Sequence, residues 1–128
     1  ASLCGGGTLT RLLLADVSGH GAAVADLAAA LRGLMRANIN RKDQGRLVQA
    51  LNREFAALSN LGRFATAVVA TYLTAGATLA VSNAGHPRPL WHRAAAGEWN
   101  PLAADAAGHG APADLPLGVV AETAYSEA

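Results

Sequence analysis

The feature that most constrains this chain is the run at residues 12–21, with the sequence LLLADVSGHG. Three leucines and an alanine form a short apolar segment, which predicts a buried strand. This strand ends at Asp16, and the small residues after it lead into a long helical pattern. A carboxylate at the end of a buried strand, next to a tight glycine-containing turn, is suited to binding a hard metal ion. Asp, Ser and Gly are also ordinary helix-start residues, so Asp16 is suited to cap the following helix, and the residues alone leave both interpretations open.

The composition is that of one folded domain. The chain has 128 residues, of which 52% are hydrophobic and 15% charged, with a formal net charge of +1. So small a charge argues against a general nucleic-acid or membrane-surface binder, because neither polyanion would attract it strongly. No run is long enough to predict a membrane span. The single cysteine, Cys4, excludes an internal disulfide and a multi-cysteine zinc site, and we therefore expect a soluble, cytoplasmic domain.

Hydrophobic periodicity predicts two amphipathic helices in succession. The first is expected from about residue 21 to residue 38, because apolar side chains recur there at three- and four-residue steps. The second is expected to begin after Asp43 as its N-cap and to end near Ser59. Two amphipathic helices require an apolar surface to cover, and we expect a sheet to provide it.

The second half of the chain predicts mainly strands. Residues 64–73 are rich in Val, Thr and aromatic side chains and are apolar on both faces, which predicts a central strand. A turn at residues 74–77 and a return strand at 78–83 complete an antiparallel pair, and further short strands are expected at 89–92 and 117–120. Residues 94–116 have the composition of a surface loop. The pattern predicts an α+β fold with antiparallel sheet.

Several motifs, taken in order, resemble those of one protein family. They are ADVSGHG at 15–21, LNREF in the second helix, FATAVVATYL at 64–73, NAGHPRPL at 83–90 and LPLG at 115–118. Their order resembles the PPM-type metal-dependent protein serine/threonine phosphatases, and within them the bacterial branch of stage II sporulation and sigma-factor-regulating phosphatases. The resemblance implies a single domain over residues 1–128, built as an α/β/β/α sandwich of two antiparallel sheets flanked by helices.

The resemblance also implies a metal site. Asp16 matches the family aspartate that bridges two Mn²⁺ or Mg²⁺ ions, and Val17 matches the residue whose carbonyl is a ligand. Oxygen ligands favour these ions over zinc, and two ions about 3.5–4 Å apart can activate a shared water to attack phosphorus. The residues expected to shape this site are Ser18, Gly19, Gly21, Asn83, Gly85 and His86.

Two histidines have open roles at this stage. His20 either assists proton transfer to the leaving serine, for which an ordinary histidine pKa near 6.5 is suited, or packs in the turn at the helix start. His86 either borders the site or shapes the loop beside Pro87.

The chain departs from the family pattern at both ends. Relatives carry a Gly-Gly-Asp element before the first strand, where this chain has Gly5-Gly6-Gly7-Thr8, and a Thr-Asp-Gly element after LPLG that this chain does not contain. One bridging carboxylate cannot neutralise two divalent ions. We therefore expect either a domain truncated at both ends or a phosphatase fold that has lost its metals.

The leading hypothesis is an enzyme that hydrolyses a phosphoserine or phosphothreonine on a bacterial regulatory protein of the anti-sigma-factor-antagonist type. The helices at residues 21–38 and 43–61 are then candidates for contact with an upstream sensor domain or with a second copy of the chain. Nucleic acid and membrane are not expected as partners. The alternative hypothesis is a catalytically inactive interaction or regulatory domain that keeps the fold alone.

Overall fold

The computed structural model describes residues 2–4, 8–59, 62–102 and 114–127. Within these residues the chain forms two α-helices, six strands and one short 3₁₀ turn at Thr74–Gly76. In chain order the elements are β1 (Ser2–Cys4), β2 (Leu9–Val17), α1 (Ala22–Asn38), α2 (Gln44–Leu58), β3 (Ala65–Leu73), β4 (Thr78–Ala84), β5 (Leu90–Arg93) and β6 (Glu98–Pro101). Neither α1 nor α2 has the length and apolar character that crossing a membrane requires.

The strands form two antiparallel sheets. The larger has the order β1-β2-β3-β4, and the smaller is the hairpin of β5 and β6. Strands β2 and β3 pair along nine residues each, from Leu9 opposite Leu73 to Val17 opposite Ala65. The predicted α+β class with antiparallel sheets is confirmed, and β3 is central in its sheet, as its two apolar faces predicted.

Both helices cover the same face of the larger sheet. The core between them is formed by large side chains from the helices, including Leu31, Leu47 and Phe55, and by small side chains from β3, including Ala65 and Ala67. Small residues on the strand allow the helices to pack closely, and burial of the large ones supplies most of the driving force for folding.

The other face of the larger sheet, which we call the open face, corrects one prediction. The apolar run at residues 12–15 was expected to be buried, yet Leu12 and Leu14 are 55% and 60% exposed. Side chains alternate between the two faces of a strand, so only Leu13 and Ala15 of this run reach the helix-covered core. The described residues leave Leu12 and Leu14 largely uncovered.

The two helix starts follow different rules. Asp43 caps α2 as predicted, because its Oδ1 accepts a hydrogen bond from the Arg46 backbone N–H at 2.8 Å. The N-cap of α1 is Gly21, with a φ of 93° and no side-chain hydrogen bond. Asp16 lies inside β2, five residues earlier, so the interpretation of Asp16 as a helix cap is wrong.

Three further predictions for the strands need correction. Part of the predicted loop at 94–116 is strand β6, which pairs with β5; residues 103–113 lie outside the described part of the chain. The predicted strand at 117–120 is reduced to one bridge between Leu117 and Ala65, after which the chain turns at Gly118, whose φ is 87°. Strand β2 also begins at Leu9, before the apolar run, and pairs with the unpredicted β1.

Candidate metal and phosphate site

Asp16 lies at the end of β2 and its side chain is exposed on the open face. Its partner across the ladder is Thr66 of β3, so these two side chains stand side by side on that face. Directly opposed side chains in an antiparallel pair have Cβ atoms about 4.5–5.5 Å apart. The strand pairing therefore places a hydroxyl next to the predicted metal-binding carboxylate.

Thr66 is also in contact with His86, from the loop after β4. The Thr66 hydroxyl and His86 Nδ1 are 2.8 Å apart, a hydrogen-bond distance. The loop is held by Asn83, whose Nδ2 donates to the His86 carbonyl and whose Oδ1 accepts from the His86 N–H, both at 2.8 Å. At this end of the sheet His86 is thus hydrogen-bonded to Thr66 and to Asn83, and Thr66 is the cross-strand partner of Asp16.

Gly85 makes this loop possible. Its φ is 68°, and a Cβ at this position would lie 2.5 Å from Pro116 Cγ. A side chain is therefore excluded both by backbone conformation and by contact. The contact also joins two of the sequence motifs, NAGHP and LPLG, through Gly85 and Pro116, which are 31 residues apart in the chain.

The turn after Asp16 is fixed to β3. The Ser18 N–H donates to the Phe64 carbonyl at 2.9 Å, and Ser18 Oγ accepts from the Phe64 N–H at 3.1 Å. Gly19 follows with a φ of 99°, and a Cβ there would lie 3.3 Å from Val24 Cγ2 of α1. The predicted shaping residues Ser18, Gly19 and Gly21 thus form the sharp turn between β2 and α1.

Val17 directs its carbonyl away from β3. Hydrogen-bonded and non-hydrogen-bonded pairs alternate along an antiparallel ladder, and the pair next to Val17 and Ala65 is the hydrogen-bonded Ser18 and Phe64. In the described part of the chain β1 pairs with β2 only from Leu9 to Arg11. The ladder pattern therefore predicts that the Val17 carbonyl, next in sequence to Asp16, points to the side of β2 that is away from β3.

His20 is exposed in the turn between β2 and α1. It lies between Gly19 and Gly21, both of which have positive φ angles. Of its two possible roles, this exposure favours proton transfer over packing in the turn, and the role of His20 stays a prediction.

The described residues fit part of the metal site that the resemblance implies. They contain no group of three or more His, Cys, Asp and Glu side chains that could hold an ion. Asp16 and the Val17 carbonyl offer oxygen ligands from one strand, and Mg²⁺ is commonly held by one or two carboxylates together with waters and a substrate phosphate. This donor set suits one such ion; a second ion needs acids that the described residues do not provide.

Thr66 is the residue of this site that the sequence analysis missed. Threonine is frequent in strands, so Thr66 was indistinguishable from an ordinary strand former. Its importance follows from two facts that only the structure gives, namely its register opposite Asp16 and its contact with His86.

The fold is that of a PPM-type phosphatase domain. The family model for Stage II sporulation protein E (SpoIIE) matches residues 6–128, and the chain belongs to this family. Its fold is similar to a crystal structure of the RsbU and RsbW domains of Rv1364c from Mycobacterium tuberculosis, with a TM-score of 0.71 and 23% sequence identity. That alignment covers 94% of this chain and 32% of the Rv1364c chain. No match was found among curated protein sequences.

Proposed function

We propose that this domain is a divalent-metal-dependent protein serine/threonine phosphatase. The observation that carries the proposal is the exposed Asp16 carboxylate at the end of β2, beside Thr66, in a chain of the SpoIIE family. Asp16 and the Val17 carbonyl are the residues that would hold Mn²⁺ or Mg²⁺. Bound ions of this kind neutralise charge on the phosphoryl oxygens and lower the pKa of a bound water.

The chain's own residues have distinct tasks in this proposal. The turn formed by Ser18, Gly19 and Gly21 keeps Asp16 at an exposed edge, which a phosphoserine on a folded protein can reach. His20, exposed in the same turn, is proposed to give a proton to the leaving seryl oxygen. Asn83 and Gly85 hold the His86 loop against the site.

The proposed substrate is a phosphorylated bacterial regulatory protein of the anti-sigma-factor-antagonist type. Family membership supports this, as does the structural relative, which combines an RsbU domain with an RsbW domain. We further propose that the reaction takes place in the cytoplasm. An upstream sensor domain or a second copy of the chain would act through α1 and α2, which pack directly over β2 and β3.

The test is phosphate release from a phosphoserine peptide during a titration with Mn²⁺, with Asp16→Asn compared with wild type. Even residues that only support a metal ligand change activity by about 10- to 100-fold, so we expect a loss of at least about 100-fold. Asp26→Asn is the matched control, because Asp26 is an exposed acid on α1 outside the site. Its activity should equal that of the wild type.

A second candidate function is a non-catalytic interaction domain. The absence of a three-ligand cluster among the described residues favours it. If the wild-type protein binds no Mn²⁺ in calorimetry, or if Asp16→Asn and Asp26→Asn release phosphate equally fast, the phosphatase proposal is wrong and this alternative gains support.

A further inference from the structure

Hydrogen bonds hold both the backbone and the side chain of His86 in place. Its backbone N–H and carbonyl are both bound by the Asn83 side chain, and its ring Nδ1 is bound by Thr66. Pro116 packs against the backbone of the preceding Gly85. Side chain and backbone are thus fixed together, which is the arrangement expected of a preorganised binding group.

The contact between the Thr66 hydroxyl and His86 Nδ1 is compatible with either tautomer of the ring, and each tautomer leaves the second nitrogen in a different state. A neutral imidazole carries one proton, on either Nδ1 or Nε2, and the hydrogen bond at one nitrogen determines the state of the other. When the Thr66 hydroxyl donates to Nδ1, the ring proton is on Nε2. The second nitrogen is then a hydrogen-bond donor, as a phosphoryl oxygen requires.

The position of the ring fits a phosphoryl group at Asp16. Asp16 and Thr66 are directly opposed, with Cβ atoms expected about 4.5–5.5 Å apart, and His86 is hydrogen-bonded to Thr66. Thr66 therefore lies between the His86 imidazole and the Asp16 carboxylate. A phosphate held at Asp16 through an ion would therefore be next to Thr66, the residue to which His86 is hydrogen-bonded.

We propose that His86 is a phosphate-binding residue that donates its Nε2–H to a phosphoryl oxygen, and that Thr66 is the positioning residue that sets its tautomer. This inference rests on the proposed function, because it takes the phosphate at Asp16 as the substrate's. It assigns Thr66 a role in substrate binding, which neither strand propensity nor the motifs indicate.

The test is the ¹⁵N spectrum of the histidine rings during a titration with inorganic phosphate in the presence of Mg²⁺. The His86 signals are assigned by comparison with His86→Gln. We expect the Nε2–H tautomer in the wild type, and a shift of the Nε2 signal as phosphate binds. Thr66→Val should give a mixture of tautomers and weaken phosphate binding by about 5- to 10-fold, the effect of one hydrogen bond.

Two further variants separate positioning from folding. Thr66→Ser keeps the hydroxyl and should restore both the tautomer and the phosphate affinity. Thr10→Val makes the same substitution on the same face, near the far end of β2, and should behave as the wild type.

The inference is overturned if phosphate leaves the His86 ring signals unchanged, or if Thr66→Val matches Thr10→Val in tautomer and affinity. Its failure is distinguishable from failure of the proposed function. Manganese-dependent turnover without a His86 response would refute only the inference. A His86 response without turnover would refute the phosphatase proposal and would leave His86 and Thr66 as a binding site for phosphate that is not a substrate's.

Discussion

Arg11 shows how a single residue connects the sheet with the loop between the helices. The residue is 1% exposed, and its guanidinium donates to the carbonyls of Ile39, Arg41 and Lys42 and to the Thr71 hydroxyl. These acceptors satisfy a group that would otherwise be costly to bury. The Arg11 side chain therefore fixes the loop after α1 to β2 on the helix-covered face of the sheet. Helix α2 begins immediately after this loop.

Tyr125 is the described residue with a clearly perturbed pKa. Its side chain is 8% exposed, and its hydroxyl has no hydrogen-bond partner among the described residues. Burial, and secondly the charge of Asp114, raises the pKa of the phenol from 10.0 to about 12. In the interval between these values the unfolded chain releases a proton that the folded chain keeps.

Stability should therefore fall as the pH rises from about 10 to about 12, because the contribution of Tyr125 is complete only below the unfolded pKa. We expect the urea midpoint to decline over this interval in the wild type and to decline less in Tyr125→Phe. The tyrosinate absorbance of the wild type minus that of the variant should titrate near pH 12. A difference spectrum that titrates at the ordinary tyrosine value would contradict the burial of this phenol.

At the scale of elements, α2 connects the core with the C-terminal segment through Asn52. This side chain is fully buried; its Nδ2 donates to the carbonyls of Val120 and Ala121, and its Oδ1 accepts from the Gly118 N–H, all at 2.8 Å. The segment after Leu117 has no strand ladder of its own. The Asn52 side chain instead provides the hydrogen-bond partners that a neighbouring strand would provide.

Asn52→Ala should lower the free energy of unfolding by about 2–4 kcal/mol, because it removes three hydrogen bonds made by a fully buried side chain. The measurement is the urea midpoint at constant slope. Arg53→Ala, at an exposed position one residue further on the same helix, should change stability by less than about 0.5 kcal/mol. Equal effects of the two substitutions would show that Asn52 does not hold this segment.

Local sequence patterns predicted the elements that are determined by residues close together in the chain. Both helices, the Asp43 cap and the pairing of β3 with β4 follow from periodicity and from short-range turn chemistry. The exposure of Leu12 and Leu14 and the loss of the strand at 117–120 depend on what lies across the sheet, and no local pattern carries that information. The strand at Glu98–Pro101 was missed because its composition is that of a loop.

The residues of the candidate site also divide into those that the local sequence indicated and those that depend on contacts distant in the chain. Asp16, Asn83 and Gly85 were found because their motifs resemble those of a family. Thr66 was found only through the register of β2 with β3, and the contact between Gly85 and Pro116 only through packing over a long sequence separation. When the role of a residue depends on side chains that are near in space but distant in sequence, the local sequence does not indicate that role.

On the scale of the whole molecule, one face of the larger sheet contains the contacts that stabilise the fold, and the other face carries the residues of the candidate site. The helix-covered face contains the core and the polar contacts of Arg11 and Asn52. The open face carries Asp16, Thr66 and the His86 loop. This division separates stability from the proposed chemistry, so variants of Asp16 should retain the fold.

The central claim is that Asp16 binds a divalent ion on the open face. The most direct measurement is the paramagnetic broadening of backbone amide signals by substoichiometric Mn²⁺. We predict broadening centred on Asp16, Val17 and Thr66, its loss in Asp16→Asn and its retention in Asp26→Asn. Broadening centred elsewhere, for example at Glu122, or broadening that persists unchanged in Asp16→Asn, would contradict the claim.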